Sequence, residues 1–321
     1  AQQLWRWVYG LGVTRFDEML NLSKDFRADL PQLFHFSLPP ILKKLVSTDG
    51  TMKFLFDVGG GRSVEAVMIP SKDRRTLCVS SEVGCNIACQ FCYTGKQKLQ
   101  RRLSSGEIIG QFIQVSKHMP EGEKISNIVF MGMGEPLDNP EAVFKSIATL
   151  IAPLGFNLSR RKITVSTSGL VPQIPLITQS GARLAVSLNA ADDLTRNKVM
   201  PINKKWPIQE LLDACVEHAR ATRDMVTLEY VLLKGVTDSL ADADKLFHLT
   251  RRVPCKINLI PFNEHPGSGY FRPSDEQVDR FHNRLMELGA HVLRRKTMGR
   301  DIYAACGQLT STAKNNPMMT S

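Results

Sequence analysis

The chain has 321 residues, 43% of them hydrophobic, enough to bury a full core as one barrel with attachments or as two domains. It lacks the apolar run of roughly 18 residues that a membrane-spanning helix needs, so none is expected. Its net charge of +10, from 41 basic and 31 acidic residues, suits a polyanionic partner such as RNA without requiring one.

Residues 1–50 read as a small helical N-terminal accessory domain. Leu4, Trp5, Val8 and Leu11 share one helical face, Phe16, Met19 and Leu20 follow a break at Gly10 and Gly12, and Pro39-Pro40 punctuates the segment. The first residue is Ala1 rather than Met, which points to a trimmed start. Residues 51–75 hold two short β patterns, 52–58 and 63–69, joined across Gly59-Gly60-Gly61 as a hairpin extension. From Thr76 strands alternate with helices. Strand patterns fall at 76–80, 127–131, 162–166, 184–188, 226–233 and 256–260, and helical patterns at about 107–118, 140–151, 171–180, 208–222 and 239–250. A last helix, about 275–288, opens on Ser274 with Gln277 three positions on, a capping-box pattern, and stops at Gly289. Six strand–helix units imply parallel strands with right-handed crossovers. They are too few for a closed eight-stranded barrel, so an α/β fold built on a partial (β/α)6 barrel over 76–309 is expected. Residues 310–321, with Asn315-Asn316-Pro317, read as a disordered tail.

Seven cysteines, three of them crowded between positions 85 and 92, do not resemble a secreted disulfide framework and favour a reducing compartment. The crowded set, Cys85-Asn-Ile-Ala-Cys89-Gln-Phe-Cys92, directly follows the first barrel strand. Three thiolates in one loop can hold three irons of a cubane cluster and leave the fourth iron open to a substrate. Zinc competes for such a set, but structural zinc usually pairs two C-x2-C knuckles and only one is present. His118 and Cys78 are the nearest candidates for a fourth ligand.

Other residues gain meaning from their positions. The second barrel strand ends in Met131-Gly-Met-Gly-Glu135-Pro136, one β/α unit after the triplet, and strand C-termini are where barrel enzymes keep their chemistry. By themselves, Cys78 reads as a small core residue and Cys306, beside Ala304, Ala305 and Gly307, as tight packing. Glu65 alternates with Val64 and Ala66. It is either an edge carboxylate or a half-buried one with a raised pKa, suited to accept a proton. Ser166 and Asn263 fit strand-end hydrogen bonds to backbone, and Cys215 and Cys255 fit the core. Basic clusters at 96–102, 160–162, 204–205 and 294–296 occupy loop positions that suit an RNA-facing rim.

On these residues the chain resembles known families. C-x3-C-x-Phe-C after the first strand, with the glycine-rich segment after the second, resembles the radical S-adenosylmethionine superfamily. That implies a [4Fe–4S] cluster on Cys85, Cys89 and Cys92, with Phe91 packed near the cofactor. Adding Cys78 and Cys306, and the stretches Thr76-Leu-Cys-Val-Ser-Ser, Phe130-Met-Gly-Met-Gly-Glu-Pro, Val165-Ser-Thr-Ser-Gly, Met200-Pro-Ile-Asn-Lys-Lys, Lys256-Ile-Asn-Leu-Ile-Pro and Ala305-Cys-Gly-Gln-Leu, the chain resembles the RlmN/Cfr family of RNA adenosine methyltransferases along almost its whole length, nearest the RlmN branch.

The resemblance implies methylation of adenosine carbon 2 in 23S rRNA and, beside the anticodon, in tRNA, with two S-adenosylmethionine molecules per turnover. The alternatives are Cfr-type methylation of carbon 8 of the same rRNA adenosine and, in a different class, a zinc-bearing RNA-binding module. By position, Cys306 matches the methyl-carrying cysteine, Cys78 the thiol that releases a protein–RNA adduct by forming a disulfide, and Glu65 the proton acceptor. The cofactor contacts implied are Gly134, Glu135, Ser166, Ser187, Leu188, Asn189 and Asn263. Asn189 stands where the family usually has His, and Arg300 and Tyr303 replace acidic residues more usual near the methyl-carrying cysteine. The N-terminal helices match a shortened accessory RNA-binding domain. The resemblance also implies an external one-electron donor such as flavodoxin, a monomer, and a cytoplasmic location in bacteria or an organelle.

Overall fold

The computed structural model describes residues 1–310, so the tail from 311 onward lies outside the described residues. The helical start is shorter than its sequence pattern predicts. Two helices, α1 (Gln2–Trp5) and α2 (Lys24–Leu33), flank single turns, and together they close a small core on Met19, Leu22 and Leu30. Leu4, Trp7 and Val8 pack on that core, whereas Leu11 and Leu20 face solvent. Residues expected to continue the helical region instead form strand β1 (Ile41–Val46). Its burial alternates residue by residue, the period of a pleated strand rather than a helix.

Strands β1, β2 (Met52–Asp57), β3 (Ser63–Ser71) and β4 (Arg74–Cys78) run as an antiparallel meander, with Leu55 opposite Glu65 and Val67 opposite Cys78. The expected hairpin is therefore continuous with the main sheet, not an appendage. A short ribbon of β5 (Glu82–Val83) and β6 (Arg101–Arg102) then closes the base of the cysteine loop. From β4 the large sheet continues in parallel through β7 (Asn127–Phe130), β8 (Ile163–Thr167), β9 (Arg183–Ser187), β10 (Val226–Leu232), β11 (Cys255–Pro261) and β12 (Val292–Arg294).

The crossovers carry α3 (Ser105–Ser116), α4 (Pro140–Ile151), α5 (Ile174–Ser180), α6 (Asp193–Val199), α7 (Ile208–Thr222), α8 (Leu240–Thr250) and α9 (Asp275–Glu287). All six expected barrel strands are present; α6 and the short seventh parallel strand β12 are additions. β10 is buried along almost its whole length, and its residues Glu229 and Val231 line a cavity at the strand ends.

Local chemistry sets the helix ends. Ser104 with Glu107 and Ser239 with Asp242 form complete capping boxes on α3 and α8. On α9 only half of the expected box exists: Ser274 Oγ accepts the Gln277 amide at 3.2 Å, but the Gln277 side chain donates to the Asp238 carbonyl. Among the described residues no helix is long and apolar enough to cross a membrane.

Candidate active site

A cavity of about 160 Å³ opens at the C-terminal ends of the parallel strands, where β/α loops gather chemistry from several strands. Cys89 and Cys92 line it, with Gly134 and Glu135 after β7, Ser166 from β8, Ser187 and Asn189 at the end of β9, and Asn263 after β11. Cys306 and Arg295 reach it from the chain beyond β12.

The cysteine loop is held tightly. Gly84 has φ +79°, and a Cβ there would lie 2.2 Å from the Lys98 carbonyl oxygen, so only glycine lets the loop fold back on itself. Cys85 donates its amide to Gln97 O at 3.1 Å, and the Cys92 amide reaches Cys89 O at the same distance. Burial pushes all three thiols up, Cys89 to about 12, and each is raised further by a neighbouring thiol. Among the described residues no three His, Cys, Asp or Glu side chains form a group that could hold a metal ion. A mononuclear ion needs its ligands to close on one point, whereas the ligands of a cubane bind separate corner irons. His118, a sequence candidate for a fourth zinc ligand, bonds the Gln114 carbonyl and packs on Phe54.

The glycine-rich turn fits a ligand laid against backbone. Gly134 has φ +94°, and a Cβ on it would press to 2.5 Å from Glu82 Cβ. Glu135 is buried and accepts the amides of Leu137 and Ser168, at 3.2 and 2.8 Å. Burial raises its carboxyl above the usual range despite those bonds. Its own amide donates to Glu82 Oε2 at 2.9 Å, and burial lifts Glu82 to about 8. Asn263 donates to Cys306 O at 3.2 Å, while its buried Oδ1 has no hydrogen-bond partner among the described residues. An orphaned acceptor on the cavity wall, a turn with no room for side chains and two thiols of the cysteine loop lining the cavity, with Cys85 in the same loop but outside the lining, fit the donor set of a cluster with a bound amino acid.

Two expected contacts differ. Asn189 lines the cavity, but its carboxamide is engaged by protein: Oδ1 accepts the Val231 amide at 3.0 Å and Nδ2 donates to Met200 Sδ at 3.2 Å. With φ +57° it occupies the left-handed region that Asn tolerates best among non-glycine residues. Leu188 does not line the cavity; its carbonyl accepts Arg196 Nε at 2.8 Å.

Cys78 and Cys306 share a second, smaller cavity of about 70 Å³ with Arg295, Met131 and Asn263. Cys306 lines both cavities, so it stands in their common wall. Burial is the main reason that the Cys78 thiol is pushed up to about 12; the nearby Cys306 adds to this and the Arg295 cation opposes it. All seven cysteines are free thiols here. Glu65 lines neither cavity and is not half-buried but wholly enclosed, paired with Lys53 at 3.1 Å.

Sequence reasoning missed Arg295, which it grouped with Arg294 and Lys296 as surface charge. Its side chain is instead only 27% exposed and turned toward Cys306, with the guanidinium 3.8 Å from Glu229. It also missed Ser168 and the buried Arg196, which donates to the carbonyls of Ser168, Ser187 and Leu188 and so fixes the β8 and β9 loop ends.

Comparison with known proteins identifies the family. The Radical SAM superfamily profile matches residues 79–247, and that of the ribosomal RNA large subunit methyltransferase N-terminal domain matches residues 1–35. The dual-specificity RNA methyltransferase RlmN of Bdellovibrio bacteriovorus is 62% identical over 317 residues, 99% of this chain and 79% of its own length. That of Geobacter sulfurreducens is 47% identical over 312 residues, 96% of this chain and 85% of its own length. The crystal structure of a radical SAM methyltransferase from Sphaerobacter thermophilus has a TM-score of 0.90 at 40% identity, over 96% of this chain and 92% of the other.

Proposed function

The chain belongs to the RlmN family of radical S-adenosylmethionine RNA methyltransferases, and from that membership we propose that it methylates carbon 2 of adenosine in 23S rRNA and, beside the anticodon, in tRNA. The family uses a [4Fe–4S] cluster and S-adenosylmethionine, and membership in it displaces the zinc-bearing binding module. Cys85, Cys89 and Cys92 would hold the cluster, and Gly134, Glu135, Ser166, Ser187 and Asn263 the S-adenosylmethionine. Bound there, the two supply a 5′-deoxyadenosyl radical able to take hydrogen from an unactivated methyl group. Such chemistry suits carbon 2 of adenine, an electron-poor position between two nitrogens with no lone pair to attack a methyl sulfonium.

The observation that carries the reading is the placement of Cys306 in the wall between the cavity of the cluster loop and the cavity of Cys78. In this reading Cys306 carries the methyl group and is the atom to which the base becomes tethered. One S-adenosylmethionine is used for that methyl group and a second for the radical. Glu65 accepts the proton leaving the base, and the unpaired electron left on the adduct returns to the one-electron carrier, so that a closed-shell thioether joins Cys306 to the base. Cys78 then attacks the Cys306 sulfur: the S–S bond forms, the sulfur–carbon bond to the base breaks, and the electron pair left on that carbon takes a proton. The Arg295 guanidinium lowers the cost of ionising Cys78, against the rise that burial causes. A dithiol must reduce the pair before the next turnover. We further propose that the protein works as a monomer with a one-electron donor such as flavodoxin.

The test is Cys78→Ala expressed in cells, run on a denaturing gel with and without ribonuclease. The release thiol removed, a ribonuclease-sensitive shifted band should accumulate and should vanish in Cys78→Ala/Cys306→Ala. An active Cys78→Ala protein without adduct rejects the release step. Mass spectrometry of nucleosides from RNA treated with the wild type separates carbon 2 from carbon 8, and 8-methyladenosine would overturn the assignment.

A further inference from the structure

Lys53 on β2 has no part in the site described above, yet its side chain is completely enclosed together with that of Glu65. Lysine is almost never fully buried unless it is paired. Its Nζ lies 3.1 Å from Glu65 Oε1 and donates to the Tyr303 carbonyl at 3.1 Å. The other carboxylate oxygen, Glu65 Oε2, accepts the Thr310 amide at 3.0 Å. One ion pair therefore grips both ends of the segment 303–310, which carries Cys306. The same edge of the sheet also holds the chain upstream. Ser47 Oγ donates to Asp301 Oδ1 at 2.6 Å, the Thr48 amide to Asp301 Oδ2 at 3.2 Å, and the Gly299 amide to Asp49 Oδ2 at 2.8 Å. The chain after β12 thus returns to the antiparallel part of the sheet and is laid against the β1–β2 turn, β2 and β3.

We propose that Lys53 is a positioning residue that couples Glu65 to the segment bearing Cys306, by bridging the Glu65 carboxylate and the Tyr303 carbonyl. It acts through those two groups and touches neither cavity. The inference rests on the reading that Cys306 carries the methyl group and that Glu65 takes the proton. Two further titratable groups act at the pair: Tyr93 from the cysteine loop responds to Glu65, and Lys43 from β1 opposes Lys53 as a like charge. Without the ammonium, Glu65 becomes a buried carboxylate deprived of its cation, and its protonated, non-basic form is favoured.

The experiment uses anaerobically reconstituted holoenzyme. Lys53→Met keeps the stem and removes the charge, and Lys53→Met/Glu65→Gln removes both charges, so that a buried lone carboxylate cannot unfold the protein. In Lys53→Met the acid limb of the RNA methylation profile should move up by about one to three pH units, because Glu65 must now be deprotonated without a cation. In both variants the amides of 302–304, which bond within the turn to Gly299 and Arg300, should exchange about tenfold faster, and in Glu65→Gln alone they should stay protected. An unmoved acid limb in Lys53→Met, even with a uniformly lower rate, overturns the inference, as does wild-type exchange in the double variant. Mass spectrometry of the Cys306 peptide from wild type separates the two levels: if RNA is methylated while Cys306 never is, the underlying reading has failed and not Lys53 alone.

Discussion

At the scale of residues, the site depends on positions with no room for substitution. Gly134→Ala adds a Cβ that would lie 2.5 Å from Glu82 Cβ on a backbone of φ +94°, so the turn must shift. The expected outcome is loss of S-adenosylmethionine binding by at least about tenfold, with the cluster still in place, measured by equilibrium dialysis alongside iron content. Retained affinity would show that the backbone of this turn does not contact the ligand. The cysteines behave differently. Cys85→Ala, Cys89→Ala and Cys92→Ala should each lose the brown colour and reductive cleavage of S-adenosylmethionine, because three ligands leave none to spare. A variant with a full iron and sulfide complement and activity would contradict the assignment. These residues were legible in the sequence because their spacing along a short loop is itself the signal. Arg295 was not: a basic triplet looks the same whether it is solvated or, as here, has its middle member turned inward toward Cys306.

At the scale of elements, the cysteine loop is braced through α3. Its capping box satisfies two orphan amides, and Glu107 also pairs with Arg101 on β6, at 3.0 Å to Oε2. Ser104→Ala should cost about 1 kcal/mol and lower the melting temperature by about 2–4 °C while keeping most activity; an unchanged melting curve would show that Glu107 alone caps the helix. The turn joining β1 and β2 gives a pH-dependent contact. Hydrogen bonds from Ser47 and Thr48 hold Asp301 below its ordinary carboxylate value. Burial would raise Asp49, but bonds from Thr51 and Gly299 outweigh it and hold that group low as well. Folded values below the unfolded 3.8 mean that this grip is fully present above that pH and is lost as pH falls below it through the folded values. Exchange of the Gly299 amide, corrected for intrinsic rate, should therefore be flat at neutral pH and rise only in that acid range. A rise already near pH 6 would assign the grip to another group.

At the scale of the whole molecule, the excess of positive charge is distributed unevenly. Several predicted RNA-facing cations are already paired within the protein: Arg101 with Glu107, Arg102 with Asp138, and Arg294 with Asp275 and Asp279. Among the described residues Arg160, Arg161, Lys204 and Lys205 form no ion pair, and Lys205 lies over the Trp206 ring. If these four meet phosphates, replacing them with Gln should weaken RNA binding and flatten the plot of log affinity against log salt by about 0.7–0.9 for each phosphate left without its cation. If Cys306 carries the methyl group as proposed, its methylation in protein free of RNA should proceed at the wild-type rate. An unchanged salt slope would move the RNA surface elsewhere.

The alternation of strands and helices, the parallel barrel that follows from it, and the cysteine loop with its glycine-rich partner were all readable from the amino-acid order. Each of those is written in local periodicity or in spacing along a few residues. That order could not show that 41–46 would be a strand, since a short apolar run acquires its secondary structure from the neighbour it pairs with, here β2. Nor could it set Cys78 and Cys306 against one cavity, because they are far apart in the chain, or show that Glu65 and Lys53, on neighbouring strands, would be wholly enclosed, because that depends on what covers the sheet. Bringing Lys53, Glu65, Tyr303 and Thr310 together requires the segment after the last parallel strand to return to the antiparallel part of the sheet. That return is decided by hydrogen bonds formed only once the sheet exists.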